Sequence, residues 1–377
     1  MSVIVVGAGA AGLGTAAELQ RLGVDAVVLE RGDGPGAAWR ARYDGLHLHT
    51  IRSLSGLPGT PIPRSEGRWL SRDAYVRYLE RYAQASGVDI RTRTAVTRID
   101  RADGGWLVHT AQEDLAADAV VVATGMSNVP FMPDWPGRSS FAGELIHSAE
   151  YRNPMPYRGR DVLVVGSGNS GAEIATQLAD AGAARVRLSV RTPPQIARRD
   201  RAGIPAQVLG LTLGRLPVRV GDAFGLALRR LSIPDLTEFG LPRPAVGPAT
   251  TFRRTRQIPI LDVGFVDAVR ARRIEIVPAV ESLQPEGVVL ADGSVPRVDA
   301  VIAATGFAPG LEPLVGHLGV LDAEGLPVTR LLGLHFVGMR VVLGGGLRDV
   351  GRSGREVARE ISRSSAAGPR AGLPRSA

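Results

Sequence analysis

Val3-Ile4-Val5-Val6-Gly7-Ala8-Gly9-Ala10-Ala11-Gly12 is the stretch that decides the fold of this chain. Val3 to Val6 is a short, wholly apolar run that stops at glycine, as a strand buried on both faces of a parallel sheet does. Ala10 to Arg21 follows as a helix and Ala26 to Leu29 as the next strand. Gly7, Gly9 and Gly12 make a GxGxxG motif between strand and helix, the setting in which that motif has a mechanism. The first glycine forms the tight turn, the second lets backbone approach a pyrophosphate, and the third lets helix and strand pack closely. The helix start, at Ala10 and Ala11, offers free N–H groups and a positive dipole end to phosphate.

Glu30 ends the second strand, where a carboxylate accepts hydrogen bonds from both ribose hydroxyls and repels a 2′-phosphate. The first unit therefore asks for a ribose with a free 2′-OH, as in FAD or NAD. A second copy begins at Val162. Val162 to Val165 reads as strand, Ser170 to Ala181 as helix and Val186 to Val190 as strand, around Gly166-Ser167-Gly168-Asn169-Ser170-Gly171. Its second strand ends Arg187-Leu188-Ser189-Val190-Arg191, with no acid. The planar fork of Arg191 suits a 2′-phosphate, so this unit asks for NADPH over NADH.

Two further phrases match each other, Val120-Val121-Val122-Ala123-Thr124-Gly125 and Val301-Ile302-Ala303-Ala304-Thr305-Gly306. Each is an apolar strand stopping at Thr-Gly. Ligands of doubly wound sheets sit beyond strand carboxyl ends, so Thr124, Gly125, Thr305 and Gly306 join the cofactor-binding candidates. The fold class predicted is α/β, with two doubly wound Rossmann-like dinucleotide-binding domains, the NADPH domain inserted into the FAD domain. The expected limits are 1–155 for the first part of the FAD domain, 156–295 for the NADPH domain and 296–363 for the return. The stretch 193–259 reads as a Pro-rich insertion, either a lid or substrate wall or plain packing. Residues 364–377 turn small and polar, and read as a disordered tail.

Composition narrows the chemistry. The chain has 377 residues and no cysteine, which excludes a redox dithiol, a thiolate nucleophile and a zinc-thiolate site. It also has no lysine, so all 45 basic residues are arginine, and Schiff-base chemistry and a Walker-type lysine are excluded. The net charge of +8 raises nucleic-acid binding as a reading. The arginines are spread along the chain and aromatic residues are 5%, so no nucleic-acid partner is expected. No apolar run of membrane-spanning length follows the first strand and helix, so no membrane association is expected and a reducing cytoplasm fits.

Phe141-Ala142-Gly143-Glu144-Leu145-Ile146-His147-Ser148-Ala149-Glu150-Tyr151 resembles the fingerprint FxGxxxHxxx[YFW] of the flavin-containing monooxygenases, the class that also holds the Baeyer–Villiger enzymes. Tyr at its last position leans toward the flavin-containing monooxygenase branch. Within it, Tyr43-Asp44-Gly45-Leu46-His47-Leu48-His49-Thr50, Phe239-Gly240-Leu241-Pro242-Arg243-Pro244 and Pro259-Ile260-Leu261-Asp262-Val263-Gly264 look most similar to YUCCA-type enzymes and their bacterial relatives. The resemblance runs from Ser2 to about Ile361. It implies FAD, NADPH and O2, and a small-molecule substrate that receives one oxygen atom through a flavin hydroperoxide. The alternative is an NAD(P)H-dependent flavoprotein reductase or oxidase without productive oxygenation. A homodimer stays open.

The resemblance adds Arg31, Trp39 and Arg40 to the first site, and Gly338 of Gly333-Leu334-His335-Phe336-Val337-Gly338-Met339 where the chain returns to the flavin. The family's GGxW phrase stands here as Gly36-Ala37-Ala38-Trp39. Some relatives carry an asparagine after the stretch matching Thr50 to Leu57; here there is none. The catalytic candidate is therefore His49, as a catalytic or flavin-contacting residue, against plain packing. His147 reads as a structural histidine at the domain linker rather than a base. Arg253-Arg254-Thr255-Arg256 reads first as a solvated charge run and second as the receiver of a substrate carboxylate.

Overall fold

The computed structural model describes residues 1–366 of the chain. Strand Val3–Val6 is the centre of a five-stranded parallel sheet whose order is Leu334–Phe336, Ala119–Val122, Val3–Val6, Ala26–Leu29, Asp89–Arg91. Val3 pairs with Ala26 on one side and Ala119 on the other. Because successive side chains face opposite ways, Val3 and Val5 enter the core under helix Ala10–Arg21, and Ile4 and Val6 the core around Trp106 and Val315. Full burial of each such side chain contributes about 1.5–3 kcal/mol.

The second sheet repeats this plan. Its order is Glu275–Val277, Arg185–Ser189, Asp161–Val165, Ala300–Ala303, Glu144–His147, again all parallel. Val162 pairs with Val186 and Ala300, as Val3 does with Ala26 and Ala119. The chain leaves the first sheet after Ala119–Val122, builds the second, and returns to add Leu334–Phe336. The predicted α/β class with two dinucleotide-binding units, one inserted in the other, is what the sheets show. The expected limits need correcting at two strands. Glu144–His147 and Ala300–Ala303 both pair within the second sheet, whereas 1–155 and 296–363 had assigned them to the first.

Helix Ala10–Arg21 is short and rich in small residues, so another helix can lie close against it. That helix is Gly346–Ala366, buried at Gly354, Ala358 and Ile361, the i, i+4, i+7 face of an amphipathic helix. A Cβ on Gly354 would stand 2.7 Å from Oγ1 of Thr15. The helix runs past the expected end at 363; the remainder of the tail expected to be disordered lies outside the described residues. Among the described residues, no helix is long and apolar enough to cross a membrane.

The 193–259 segment forms its own small layer. Strand Ile196–Arg198 pairs in parallel with Ile260–Asp262, and between them come helices Ala206–Leu213, Val218–Ser232 and Pro248–Thr255. The buried amide of Gln207 fixes this layer to the rest: its oxygen accepts from the N–H of Ile51 at 2.8 Å and its nitrogen donates to the carbonyl of Gly344 at 2.9 Å.

Candidate active site

Both glycine turns open into one cavity of about 1400 Å³, closed on its third side by the inserted layer. At the first turn Gly7 has φ +105°, a backbone conformation that L side chains rarely adopt, and a Cβ there would stand 2.9 Å from the carbonyl oxygen of Ala123. A Cβ on Gly12 would collide with the carbonyl of Gly7. Gly9 differs: nothing lies within 4 Å of a Cβ built there. The second turn repeats this, with Gly166 at φ +117° against Ala304, Gly171 against the carbonyl of Gly166, and open space at Gly168. Two glycines in each turn are demanded by the protein, and the third faces room for a ligand. That is the fit expected of a dinucleotide pyrophosphate at each turn.

The rims of the two turns differ. Glu30 is buried and lines the cavity; its Oε2 accepts from the N–H of Ala8 at 2.7 Å and its Oε1 from Gly32 at 2.8 Å. A carboxylate has about four acceptor positions, so two bonds leave capacity for a ribose. Thr124 lines the cavity with Oγ1 buried and unpartnered, a donor and acceptor kept free for a ligand. Ala10, Ala11, Arg31, Trp39, Gly125 and Gly338 also line it. Arg40 does not: its guanidinium turns to Glu80 at 2.6 Å and the carbonyl of Pro35, so a cofactor role for Arg40 is not supported by its placement.

At the second turn Gly168, Asn169 and Ser170 reach the cavity. The side chain of Asn169 is committed to protein, accepting from Leu261 N–H at 2.7 Å and donating to the carbonyl of Pro259 at 3.2 Å. Arg191 is exposed just past the end of strand Arg185–Ser189, does not line the cavity, and makes no side-chain hydrogen bond or ion pair to another described residue. Its neighbours are engaged: Arg198 pairs with Asp262, and Arg199 stacks over Trp69 with its carbon 4.7 Å from the ring centre. Thr305 corrects its expectation. Its hydroxyl donates to the carbonyl of Phe131 and it does not line the cavity, although Gly306 does.

Where the two units meet, Glu173 holds two residues of the other unit. Nε2 of His49 lies 2.6 Å from its Oε1, and the hydroxyl of Tyr43 donates to its Oε2 at 2.7 Å. Burial, and then the nearby carboxylate, raise the Tyr43 phenol above its ordinary pKa, so it stays a donor. With Nε2 held at Glu173, Nδ1 of His49 is left buried with no partner, in a side chain that lines the cavity. His147 is satisfied as a linker histidine: its Nδ1 accepts from Ala149 N–H and its Nε2 donates to the carbonyl of Gly306, both at 3.0 Å. Burial lowers its pKa, so the ring is neutral.

Sequence reading missed Glu173, Tyr43 and Arg42, which all line the cavity. Arg42 stacks 4.3 Å over the ring of Phe307 and donates to the carbonyl of Ser127. The one available signal was the acid in the first turns of the second glycine helix, where a dipole argument alone would have put it on solvent. Arg253, Arg254 and Arg256 are exposed and do not line the cavity, so they are not the receivers of a substrate carboxylate.

The sequence profile of the family described as pyridine nucleotide-disulphide oxidoreductase matches residues 4–205. The chain is 38% identical over 309 residues to indole-3-pyruvate monooxygenase YUCCA1 of Oryza sativa subsp. japonica, covering 81% of this chain and 76% of that protein. It is 36% identical over 323 residues to YUCCA4 of the same plant, covering 81% and 73%. A flavin-containing monooxygenase from Stenotrophomonas maltophilia superposes with TM-score 0.73 at 26% identity, covering 97% of this chain and 98% of that one. Open cyclohexanone monooxygenase shares the fold, with TM-score 0.73 at 19% identity.

Proposed function

Because this chain belongs to the flavin monooxygenase family, we propose that it is an FAD-dependent, NADPH-consuming enzyme that places one oxygen atom from O2 into a small organic substrate. The single observation carrying this is that two glycine turns, each with room for a pyrophosphate, open into the same cavity beside a third, apolar wall. FAD would lie at the first turn, with Gly9 and the helix start on the pyrophosphate, Glu30 on the ribose hydroxyls, and Thr124 and Gly338 along its length. NADPH would lie at the second, with Gly168 and Ser170 on the pyrophosphate and Arg191 on the 2′-phosphate. A bound FAD would supply the redox chemistry between NADPH and O2.

The chain's own residues position and exclude. Glu173 holds His49 and Tyr43 across the junction of the units, so Nδ1 of His49 is left as an unpartnered polar atom in a side chain that faces the cavity. The inserted layer gives the cavity an apolar wall, which would limit water beside an oxygen-activating group. Domain limits that follow sheet membership, and action in the cytoplasm, belong to the same reading.

Protein loaded with FAD should consume O2 in an NADPH-dependent way when offered a panel of amines, sulfides, ketones and 2-oxo acids. Heavy-isotope oxygen should appear in the product of one of them. NADPH oxidation that returns all its oxygen as peroxide, whatever the substrate, would instead mark a flavoprotein oxidase or reductase. The dithiol type of reductase is excluded already, since the chain has no cysteine.

A further inference from the structure

The wall of the cavity formed by the inserted layer is apolar, built from Leu209, Leu213, Leu228, Ile233 and Ile258, with one half-buried cation among them, Arg229. Of the other arginines on the lining, Arg31 and Arg340 are exposed and lie outside the inserted layer. Arg198 is neutralised by Asp262, Arg42 stacks on Phe307, and Arg201 is exposed and bonded to Ser232. Arg229 has no carboxylate partner among the described residues. Its one protein bond is to a neutral group, the side-chain oxygen of Gln195 at 3.2 Å, and its Nε is buried with no partner at all.

This arrangement is built. The amide of Gln195 is buried and fixed by donation to the carbonyl of Val246 at 2.8 Å and to Thr251 at 3.0 Å, so its oxygen must face Arg229. Helix Val218–Ser232 is pinned against helix Pro248–Thr255: Asp222 accepts from the N–H groups of Ala249 and Thr250, and a Cβ on Gly221 would stand 3.2 Å from Ala249. Arg229 lies two turns farther along that helix. Burial, and then the nearby Arg243 and Arg230, lower its pKa, as befits a cation without a counter-charge. A half-buried guanidinium with a buried, unpartnered Nε–H and no anion beside it gains when a ligand brings one.

We propose that Arg229 is the residue that receives the carboxylate of an acidic substrate in this cavity, the rest of that substrate lying on the leucine and isoleucine wall. The proposal rests on the monooxygenase reading for the word substrate, but its test needs no turnover. Phenylpyruvate and phenylacetone have the same apolar body and ketone and differ in carboxylate against methyl. Equilibrium dialysis against FAD-loaded protein should show phenylpyruvate held roughly tenfold or more tighter. Arg229→Gln should weaken phenylpyruvate roughly ten- to hundredfold, the range of a hydrogen bond to a charged group, and phenylacetone by less than about threefold. Arg229→Lys keeps the charge without the fork and should fall between.

Three results would overturn the assignment: no preference for the acid in the wild type, equal losses for both ligands, or a matching loss of NADP⁺ binding. The last would give the arginine to a nucleotide phosphate. Should Arg229→Gln fail to retain FAD, the lysine variant and the wild-type preference decide. If the acid binds through Arg229 yet no NADPH-dependent oxygen transfer is found, the oxygenase reading falls and this one stands.

Discussion

The two glycine turns are near copies in backbone and opposites at the rim. In both, the first glycine sits at positive φ against the neighbouring strand's carbonyl, the third is packed on the first, and the middle one faces open space. The first rim carries a buried acid already bonded to two backbone N–H groups. The second carries an exposed arginine bonded to nothing else described. The turn is what the two units share, with room for a pyrophosphate in each, and the strand-end residue is where they differ. The acid is held in place by the fold, whereas the arginine is exposed, lies off the cavity lining and has no partner among the described residues.

The sharpest way to separate the sites is through their middle glycines, whose Cβ enters ligand space and touches no protein atom. Gly168→Val should leave FAD content and secondary structure unchanged while slowing flavin reduction by NADPH by roughly a hundredfold or more, since a pyrophosphate loses its approach to the backbone. Gly9→Val should do the reverse, giving a folded but colourless protein. Loss of folding in either, by circular dichroism, would show that the open space serves packing.

The next effect in size tests the rims. Arg191→Ala should lower kcat/KM for NADPH in flavin reduction by roughly ten- to hundredfold and leave NADH little changed. Equal losses would remove the phosphate role, and with Arg198 and Arg199 already engaged the neighbouring arginines offer no easy replacement. Glu30→Gln should weaken FAD retention by roughly tenfold, because an amide can accept one of the two backbone N–H bonds but presents N–H to the other. Its NADPH-dependent rate, once FAD is saturating, should be normal; a slower rate would mean the rims are coupled.

The smallest effect lies between the sites, at His147. Its folded pKa is below that of the unfolded chain, so the neutral ring favours the fold. This contribution is fully present above the unfolded value of about 6.5 and is lost as pH falls below it. Wild type should therefore lose more Tm between pH 7 and pH 5 than His147→Asn does. The reverse order would mean the ring is charged in the fold, with Glu150 outweighing burial.

What could be read from sequence is what chain-local chemistry dictates. Val3–Val6 and Ala26–Leu29 announce themselves because a strand buried on both faces has to be apolar throughout, and the glycine spacings because backbone geometry forbids a side chain. Sheet membership of Glu144–His147 and Ala300–Ala303 could not be read the same way, since an apolar run carries no mark of which neighbour it pairs with. Arg40 and Thr305 stood at the right spacing but were claimed by Glu80 and by the carbonyl of Phe131, partners brought together only by folding. Arg229 was hidden for the opposite reason. In an arginine-rich chain one more arginine on a helix is unremarkable until every carboxylate has been seen to lie elsewhere.

Asn169 opens the helix of the second glycine turn, and its side chain clasps Pro259 and Leu261, where the inserted wall rejoins the second unit. The same residue thus ties the second glycine turn, the proposed nucleotide seat, to the base of the proposed substrate wall. Binding free energies linked through such a shared element are reciprocal. Whatever factor the nucleotide contributes to substrate affinity, the substrate must return to nucleotide affinity. Any such coupling would pass through the two hydrogen bonds that Asn169 makes to Pro259 and Leu261.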